Sequence, residues 1–348
     1  MRHPDAPLTA VGVDIFAGGF TLGVERHFRV LAHLEHNDYG VKTFKLNRPH
    51  VPVFHGKSEW PRERYRDVDF MYANPPCAIV SVCGASVRNG PGSWRSDPRT
   101  QCIRDVVDLA CEVRPRVLAL ESVTQLRTRA GELVNEQVAK LLAAGYSVTH
   151  LLVNTGWHGS PNCRKRYFLT AHRVPLSFER LNYAPPDTVE RTLGRVAAPG
   201  WLPRVNPEHA RLWHRVPPGR GLREAWEKEH PPETWVNTGS GVQGRPRFTE
   251  YRLQADAPMG VFYGDFYWHP TEPRRVGLEE AKALCGFPED FQFHRPGPAY
   301  SEMARGVMPA MADWLARQVA ASLRGRHAGP ALAAGGHVHV HDIRKEPT

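Results

Sequence analysis

Several things are scarce in this sequence, and each shortage removes a class of protein. No long apolar run exists; stretches such as Val117 to Leu120 are far too short to span a bilayer. Met1 to Thr9 contains no apolar segment, so no secretory leader is expected there and a cytoplasmic protein is anticipated. Cysteines are few: Cys77, Cys83, Cys102, Cys111, Cys163 and Cys285. They include no CxxC pair and no zinc spacing, so free thiols and no bound metal are expected. No internal repeat is visible. What is present is a chain of 348 residues, 41% hydrophobic, enough to bury a large core. Lys and Arg number 45 against 36 Asp and Glu, a formal charge of +9 that suits a polyanionic partner.

Apolar runs alternate with amphipathic stretches through the first half. Val11 to Phe16, Arg29 to Leu34, Val68 to Tyr72, Val117 to Leu120, Ser147 to Val153 and Arg166 to Ala171 are expected strands. Thr21 to Phe28, Thr100 to Val113 and Glu132 to Ala144 are expected helices. This alternation predicts an α/β domain with a mostly parallel sheet covered on both faces. In such sheets the chemistry lies at the carboxyl ends of the strands. After Val174 the character changes. Pro, Trp, Arg and His become frequent up to Arg252, with Trp201, Trp213, Trp226 and Trp235 among basic residues, which predicts an irregular, loop-rich lobe. Helices return over Val276 to Leu284 and Met308 to Leu323. The predicted division is 1–173 catalytic, 174–255 lobe, 256–325 returning to the catalytic domain, and 326–348 a flexible tail whose His337 to His341 cluster is read as solvated.

Four short segments fall at strand ends. Asp14-Ile15-Phe16-Ala17-Gly18-Gly19-Phe20 runs from a strand through glycines into a helix, a turn that lets backbone approach a nucleotide-like ligand. Asn74-Pro75-Pro76-Cys77 stiffens the approach to a cysteine, which suits a nucleophile. Glu121-Ser122-Val123 puts a carboxyl at the mouth of the sheet, where desolvation raises its pKa and fits it to protonate a ring nitrogen. Arg164 and Arg166 alternate, so both point the same way to clamp a ring oxygen or a phosphate.

In this order and spacing, the segments resemble the DNA cytosine methyltransferases that act on carbon 5. The resemblance runs from about Val11 to Thr170 and again from about Asp256 to Leu323, leaving out the middle lobe, which in the family is the variable target-recognition region. It implies a Rossmann-like, S-adenosylmethionine-dependent methyltransferase fold with a smaller target-recognition lobe. It implies double-stranded DNA as partner, base flipping, and Cys77, Glu121, Arg164 and Arg166 as catalytic residues. Pro75-Pro76-Cys77 with Ser81 looks like the nucleophile loop. Asp14, Phe16, Ala17, Gly18, Gly19, Glu35, His36, Ser58, Pro76, Arg305, Gly306 and Val307 are the implied cofactor contacts, with Glu35 on the ribose. His269-Pro270 through Arg274, Leu278 to Pro288 and Tyr300 to Pro309 look like the late motifs. A monomer is expected, in a bacterial or phage-infected cell.

The departures gather around the cofactor. The Gly-rich loop is two residues short, Gly56-Lys57-Ser58 stands where the family has Gly-Asp, and Gln-x-Arg-x-Arg begins with Asn162. Glu121-Ser122-Val123 replaces Glu-Asn-Val, and Pro76-Cys77-Ala78 replaces Pro-Cys-Gln. Where the family has Gly-Asn-Ser/Ala-Val, this chain reads Ala304-Arg305-Gly306-Val307. A cation there is expected either to turn to solvent or to find an anionic partner, such as Glu302, the cofactor's own carboxylate, or an extra carboxylate on the donor. The last case is carboxy-S-adenosylmethionine, with carboxymethylcytosine as product. Two other readings stand beside these: an RNA-acting relative, disfavoured by the sizeable lobe, and a non-catalytic DNA-binding relative, disfavoured by Cys77, Glu121 and Arg166.

Overall fold

The computed structural model describes residues 6–80, 90, 92–158, 162–179, 186–238, 241–247, 249–327 and 330–343, so Ser81 and Cys83 lie outside the described residues. The strands are β1 Thr9–Val13, β2 Arg29–Glu35, β3 Val53–His55, β4 Phe70–Ala73, β5 Val117–Val123, β6 Ser147–Asn154, β7 Lys165–His172, β8 Asn237–Thr238, β9 Gly241–Val242 and β10 Val338–Ile343. Eight of them form one sheet in the order β10-β6-β7-β5-β4-β1-β2-β3. Within it β7 alone runs antiparallel to its neighbours β5 and β6.

The runs are continuously apolar because the sheet is buried on both faces. Phe70, Tyr72 and Ala119 point into one core with the helices Leu278–Cys285 and Pro309–Leu323. Met71, Ala73 and Leu118 point into the other with Thr100–Val113 and Gly131–Ala143. Helix Gly19–Val24 lies against Pro309–Leu323 so closely that a Cβ on Gly23 would stand 2.2 Å from the Asp313 backbone nitrogen.

β1 stops at Val13, short of the expected Phe16, because Asp14 and Phe16 adopt left-handed backbone with φ of 50° and 53°. The following helix is likewise shorter than Thr21 to Phe28, ending at Val24. Two further helices carry signals that the reading of apolar periodicity passed over. Asp38–Asn47 is capped by Asn37, whose side chain accepts from the Tyr39 and Gly40 N–H groups. Pro296–Arg305 begins in Pro296-Gly297-Pro298, which reads as a loop, yet proline is tolerated in a first turn.

Two expectations are corrected. The tail is not loose throughout: Val338–Ile343 pair in parallel with Val148 to Val153 as the sheet's edge strand. Alternation along that strand leaves Val338 and Val340 exposed and half-buries His339 and His341. Nor is the lobe purely irregular. It holds helices Val189–Leu193, Pro207–Trp213 and Leu222–Glu229 and the β8–β9 hairpin. Trp213 and Trp226 are buried, and Trp213 packs with Val216, Leu222 and Trp268 into a small core of its own. Arg252 stacks on Trp213 with its guanidinium carbon 3.8 Å from the ring centre, so this cation also serves the lobe's interior.

Candidate active site

Strand polarity assembles the site. β1, β2, β4 and β5 run in parallel and present Asp14, Glu35, the Asn74–Cys77 loop and Glu121 at one edge of the sheet. β7 runs the opposite way, so its amino end returns Arg164 and Arg166 to that edge. Val123 pairs with Arg166 in the β5–β7 register, which puts Arg166 diagonally across from Glu121 on the same face.

That diagonal is an ion pair, Arg166 Nε to Glu121 Oε1 at 2.6 Å, with both side chains buried. Asn74 Nδ2 donates to the other oxygen, Oε2, at 2.5 Å. Burial pushes the Glu121 carboxyl up to about 7, against the downward pull of Arg166 and Asn74. Cys77 is half-buried. Desolvation pushes its thiol up to about 11, the nearby Glu121 charge adds to this, and Arg166 and Arg305 oppose it. The four residues Asn74, Cys77, Glu121 and Arg166 thus form one electrostatic unit. Asn74 was visible in sequence as a loop residue; its hold on Glu121 was not.

Arg164 turns elsewhere. Its guanidinium donates to the carbonyls of Gly306 at 3.1 Å and Ala304 at 2.6 Å, tying the amino end of β7 to the segment that carries Arg305. Val307 then meets the Gly-rich loop: a Cβ on Gly19 would stand 2.3 Å from the Val307 carbonyl oxygen, so only glycine permits this approach. Gly306 and Val307 are buried, and Arg305 is exposed. Among the described residues no hydrogen bond or ion pair is made by the Arg305 side chain, so Glu302 is not its ion-pair partner.

The loop after β1 is built on Glu35. One carboxylate oxygen accepts from the Phe16 N–H at 3.0 Å, the other from His36 and Asn37 N–H at 2.9 Å each. These bonds hold Phe16 and Ala17 in the core and Gly18 in its left-handed turn, with φ of 92°. Burial and the Asp14 charge push the Glu35 carboxyl up to about 8. Asp14 accepts from His36 Nδ1 at 2.5 Å, which raises the His36 pKa and keeps its half-exposed ring over the loop. Gly56 lies beside that ring, with its Cβ position 3.9 Å from His36 Cδ2, and brings Ser58 to the rim on an exposed turn. Pro76 is half-buried beside Cys77. The predicted residues therefore form two neighbouring groups: Cys77, Glu121 and Arg166 on one side, and Asp14 to Gly19, Glu35, His36 and Ser58 on the other. The 304–307 segment lies between them, since Arg305 acts on Cys77 and Val307 meets Gly19.

Among the described residues no three metal-ligating side chains converge, and no helix is long and apolar enough to cross a membrane.

Comparison with known proteins adds an independent line. Type II methyltransferase M.MthTI of Methanothermobacter thermautotrophicus is 25% identical over 327 residues, covering 89% of this chain and 96% of that protein. Type II methylase M.HgiDII of Herpetosiphon aurantiacus is 26% identical over 344 residues, covering 90% and 94%. Among solved structures, a DNA modification methyltransferase encoded within an E. coli prophage superposes with a TM-score of 0.66 at 19% identity, covering 91% of this chain and 99% of that one. A Spodoptera frugiperda DNMT2 mutant superposes with a TM-score of 0.60 at 13% identity, covering 90% and 99%. These superpositions agree with the α/β fold of a methyltransferase. The profile of the C-5 cytosine-specific DNA methylase family matches residues 12–321, nearly the whole of both sheet and lobe, and the protein belongs to that family.

Proposed function

We propose that this protein methylates carbon 5 of cytosine in double-stranded DNA by covalent catalysis through Cys77, with S-adenosylmethionine as donor. The observation that carries this reading is the buried Asn74–Glu121–Arg166 cluster acting on the Cys77 thiol.

Carbon 5 of cytosine is a weak nucleophile, and addition at carbon 6 activates it. Cys77, once its thiol proton has passed to solvent, adds through sulfur to carbon 6 while Glu121 delivers a proton to ring nitrogen 3. A carboxyl held near neutrality serves this step, since it must be protonated at the start and give the proton up readily. Arg166 orients Glu121 and stabilises the carboxylate that results. The electron pair now at carbon 5 is the nucleophile to which a bound donor would yield its methyl carbon, the donor's carbon–sulfur bond breaking as the new bond forms. Loss of the carbon 5 proton to a base then expels the sulfur, and nitrogen 3 returns its proton. A stacked base cannot reach these groups, so the target cytosine leaves the helix at a cost of about a few kcal/mol.

S-adenosylmethionine, when bound, supplies an electrophilic methyl carbon. The residues present fit it: Gly18 turns the chain in a left-handed conformation, the Val307 carbonyl packs against Gly19 beside it, and a buried carboxyl oxygen of Glu302 is left without a hydrogen-bond partner among the described residues.

A second reading keeps this cluster and changes the donor to carboxy-S-adenosylmethionine, with 5-carboxymethylcytosine as product. One observation favours it: the Arg305 charge acts on the Cys77 thiol, and its guanidinium is unpaired among the described residues. Its exposure counts against it.

The test is a denaturation-resistant adduct on duplex DNA containing 5-fluorocytosine, formed with S-adenosylmethionine by the natural protein and not by Cys77→Ala. Binding of the duplex with no adduct would move the reading to a non-catalytic relative, and an adduct on RNA alone to an RNA-acting one. Nucleoside mass spectrometry of cellular DNA, with and without carboxy-S-adenosylmethionine, separates methylcytosine from carboxymethylcytosine.

A further inference from the structure

Helix Pro296–Arg305 brings a second acid to the donor side. Glu302 is only 3% exposed, and its Oε2 is buried without a hydrogen-bond partner among the described residues. The chain immediately after it is fixed in place: Gly306 N–H donates to the Glu302 carbonyl at 2.9 Å, Arg164 grips the Ala304 and Gly306 carbonyls, and Val307 abuts Gly19. The helix end that carries Glu302 is thereby held against the Gly-rich loop. The electrostatic neighbours of the Glu302 side chain are Glu35 at the end of β2, Tyr39 of helix Asp38–Asn47, and Arg305 of its own helix.

A buried carboxyl oxygen without a donor is costly, and at a ligand site its natural explanation is a donor that the ligand brings. Glu35 is not equivalent, because three main-chain N–H groups already occupy its two oxygens. An ionised carboxylate takes a stronger hydrogen bond from a cation than from a neutral hydroxyl, so an ammonium donor suits it best.

We propose that Glu302 is a donor-binding residue that receives the α-ammonium group of the amino-acid tail of S-adenosylmethionine. The proposal rests on the reading of this end of the sheet as the donor site. Burial, with Glu35 adding to it and Arg305 opposing it, pushes the Glu302 carboxyl up to about 7, so its charge forms over the range in which the ammonium is still protonated.

The experiment is calorimetric binding of three probes to the natural protein and to Glu302→Gln, without DNA. The probes are S-adenosylmethionine, S-adenosylhomocysteine and 5′-methylthioadenosine, the last carrying adenine, ribose and sulfur but no amino-acid tail. Loss of a charge-assisted hydrogen bond is expected to weaken the first two about tenfold or more and leave the third unchanged. Equal weakening of all three, or no weakening, overturns the assignment. If the natural protein binds neither tail-bearing probe, the donor-site reading falls and the proposal with it. Thermal unfolding confirms that the variant is folded. A second measurement needs no variant: between about pH 5.5 and 7.5, affinity for S-adenosylhomocysteine relative to 5′-methylthioadenosine rises as Glu302 ionises. Glu35 titrates higher, near about 8, and lies beside both probes. A flat ratio overturns the proposal.

Discussion

The two halves of the site solve the problem of buried charge in opposite ways. Around Cys77 the charges answer one another: the Glu121 carboxylate is held between Arg166 and Asn74. Around the Gly-rich loop acids predominate. Asp14, Glu35 and Glu302 are buried, Glu35 is satisfied by main-chain N–H groups, the buried Arg48 beside Gly18 is already paired with Glu25, and His36 and Arg305 are exposed. A charge-balanced site is ready for a neutral guest such as a flipped base. An acid-rich site retains a deficit that a cationic guest removes. The contrast matches the two substrates proposed here, and it can be tested one half at a time.

The largest effect belongs to the balanced half. Glu121→Gln keeps the shape and removes the proton, and a fall in methylation of about 10²- to 10⁴-fold is expected. The pH profile of kcat/KM should change as well. On the proposed mechanism the active form of the natural protein needs Cys77 ionised and Glu121 protonated. With the thiol at about 11 and the carboxyl at about 7, that fraction rises with pH up to about 7 and then levels, because each further gain of thiolate is matched by a loss of carboxylic acid. Glu121→Gln removes the second titration, so its residual rate should continue to rise above pH 7. A profile that levels at the same pH in the variant would show that Glu121 is not the titrating acid. Exchange of the cytosine carbon 5 hydrogen with solvent, which needs no donor, should fall in parallel.

A smaller effect, of the opposite pattern, is expected from Gly19→Ala. Its new Cβ meets the Val307 carbonyl at 2.3 Å, so one backbone must give way. Overpacking of this kind costs about 1–3 kcal/mol, to be read in thermal unfolding. Donor binding should weaken with it, while hydrogen exchange at carbon 5 persists. Loss of exchange together with donor binding would mean that the two halves are mechanically one, through Arg164 and the 304–306 carbonyls.

Sequence made the balanced half far more legible than the other. Cys77, Glu121 and Arg166 lie at strand ends, and period-two alternation with strand polarity is enough to bring them together. The apolar runs themselves announced the strands, because a sheet buried on both faces tolerates little else. The donor half depends on close approaches that leave no pattern. That Gly19 must be glycine is a fact about Val307, far away in the chain. That Glu35 faces inward depends on three N–H groups presented by a left-handed turn. Helix Pro296–Arg305 hides behind its opening prolines, so in sequence Glu302 stands only as one of several anionic partners open to Arg305, and it is the other alternative, Arg305 turned to solvent, that the structure shows. The edge strand β10 escaped for a related reason: one hydrophobic side of Val338 and Val340 is exposed, and its histidines read as solvated tail.

The smallest effect lies where the halves meet. Arg305 lowers the Cys77 thiol pKa, but an exposed guanidinium acts largely through water, and its contribution is strongly screened. Arg305→Ala should therefore raise the thiol pKa only slightly, as expected for one screened charge, visible as a small shift in the pH dependence of Cys77 alkylation by iodoacetamide. Added salt should erase the difference. A much larger shift, resistant to salt, would place Arg305 inside the site with its charge desolvated. It would then lie where an anionic group on a bound donor could reach it, and the carboxylated donor would become the stronger of the two readings. A shift abolished by salt leaves Arg305 as a surface charge and the ordinary methyl donor as the substrate that the acid-rich half is built to hold.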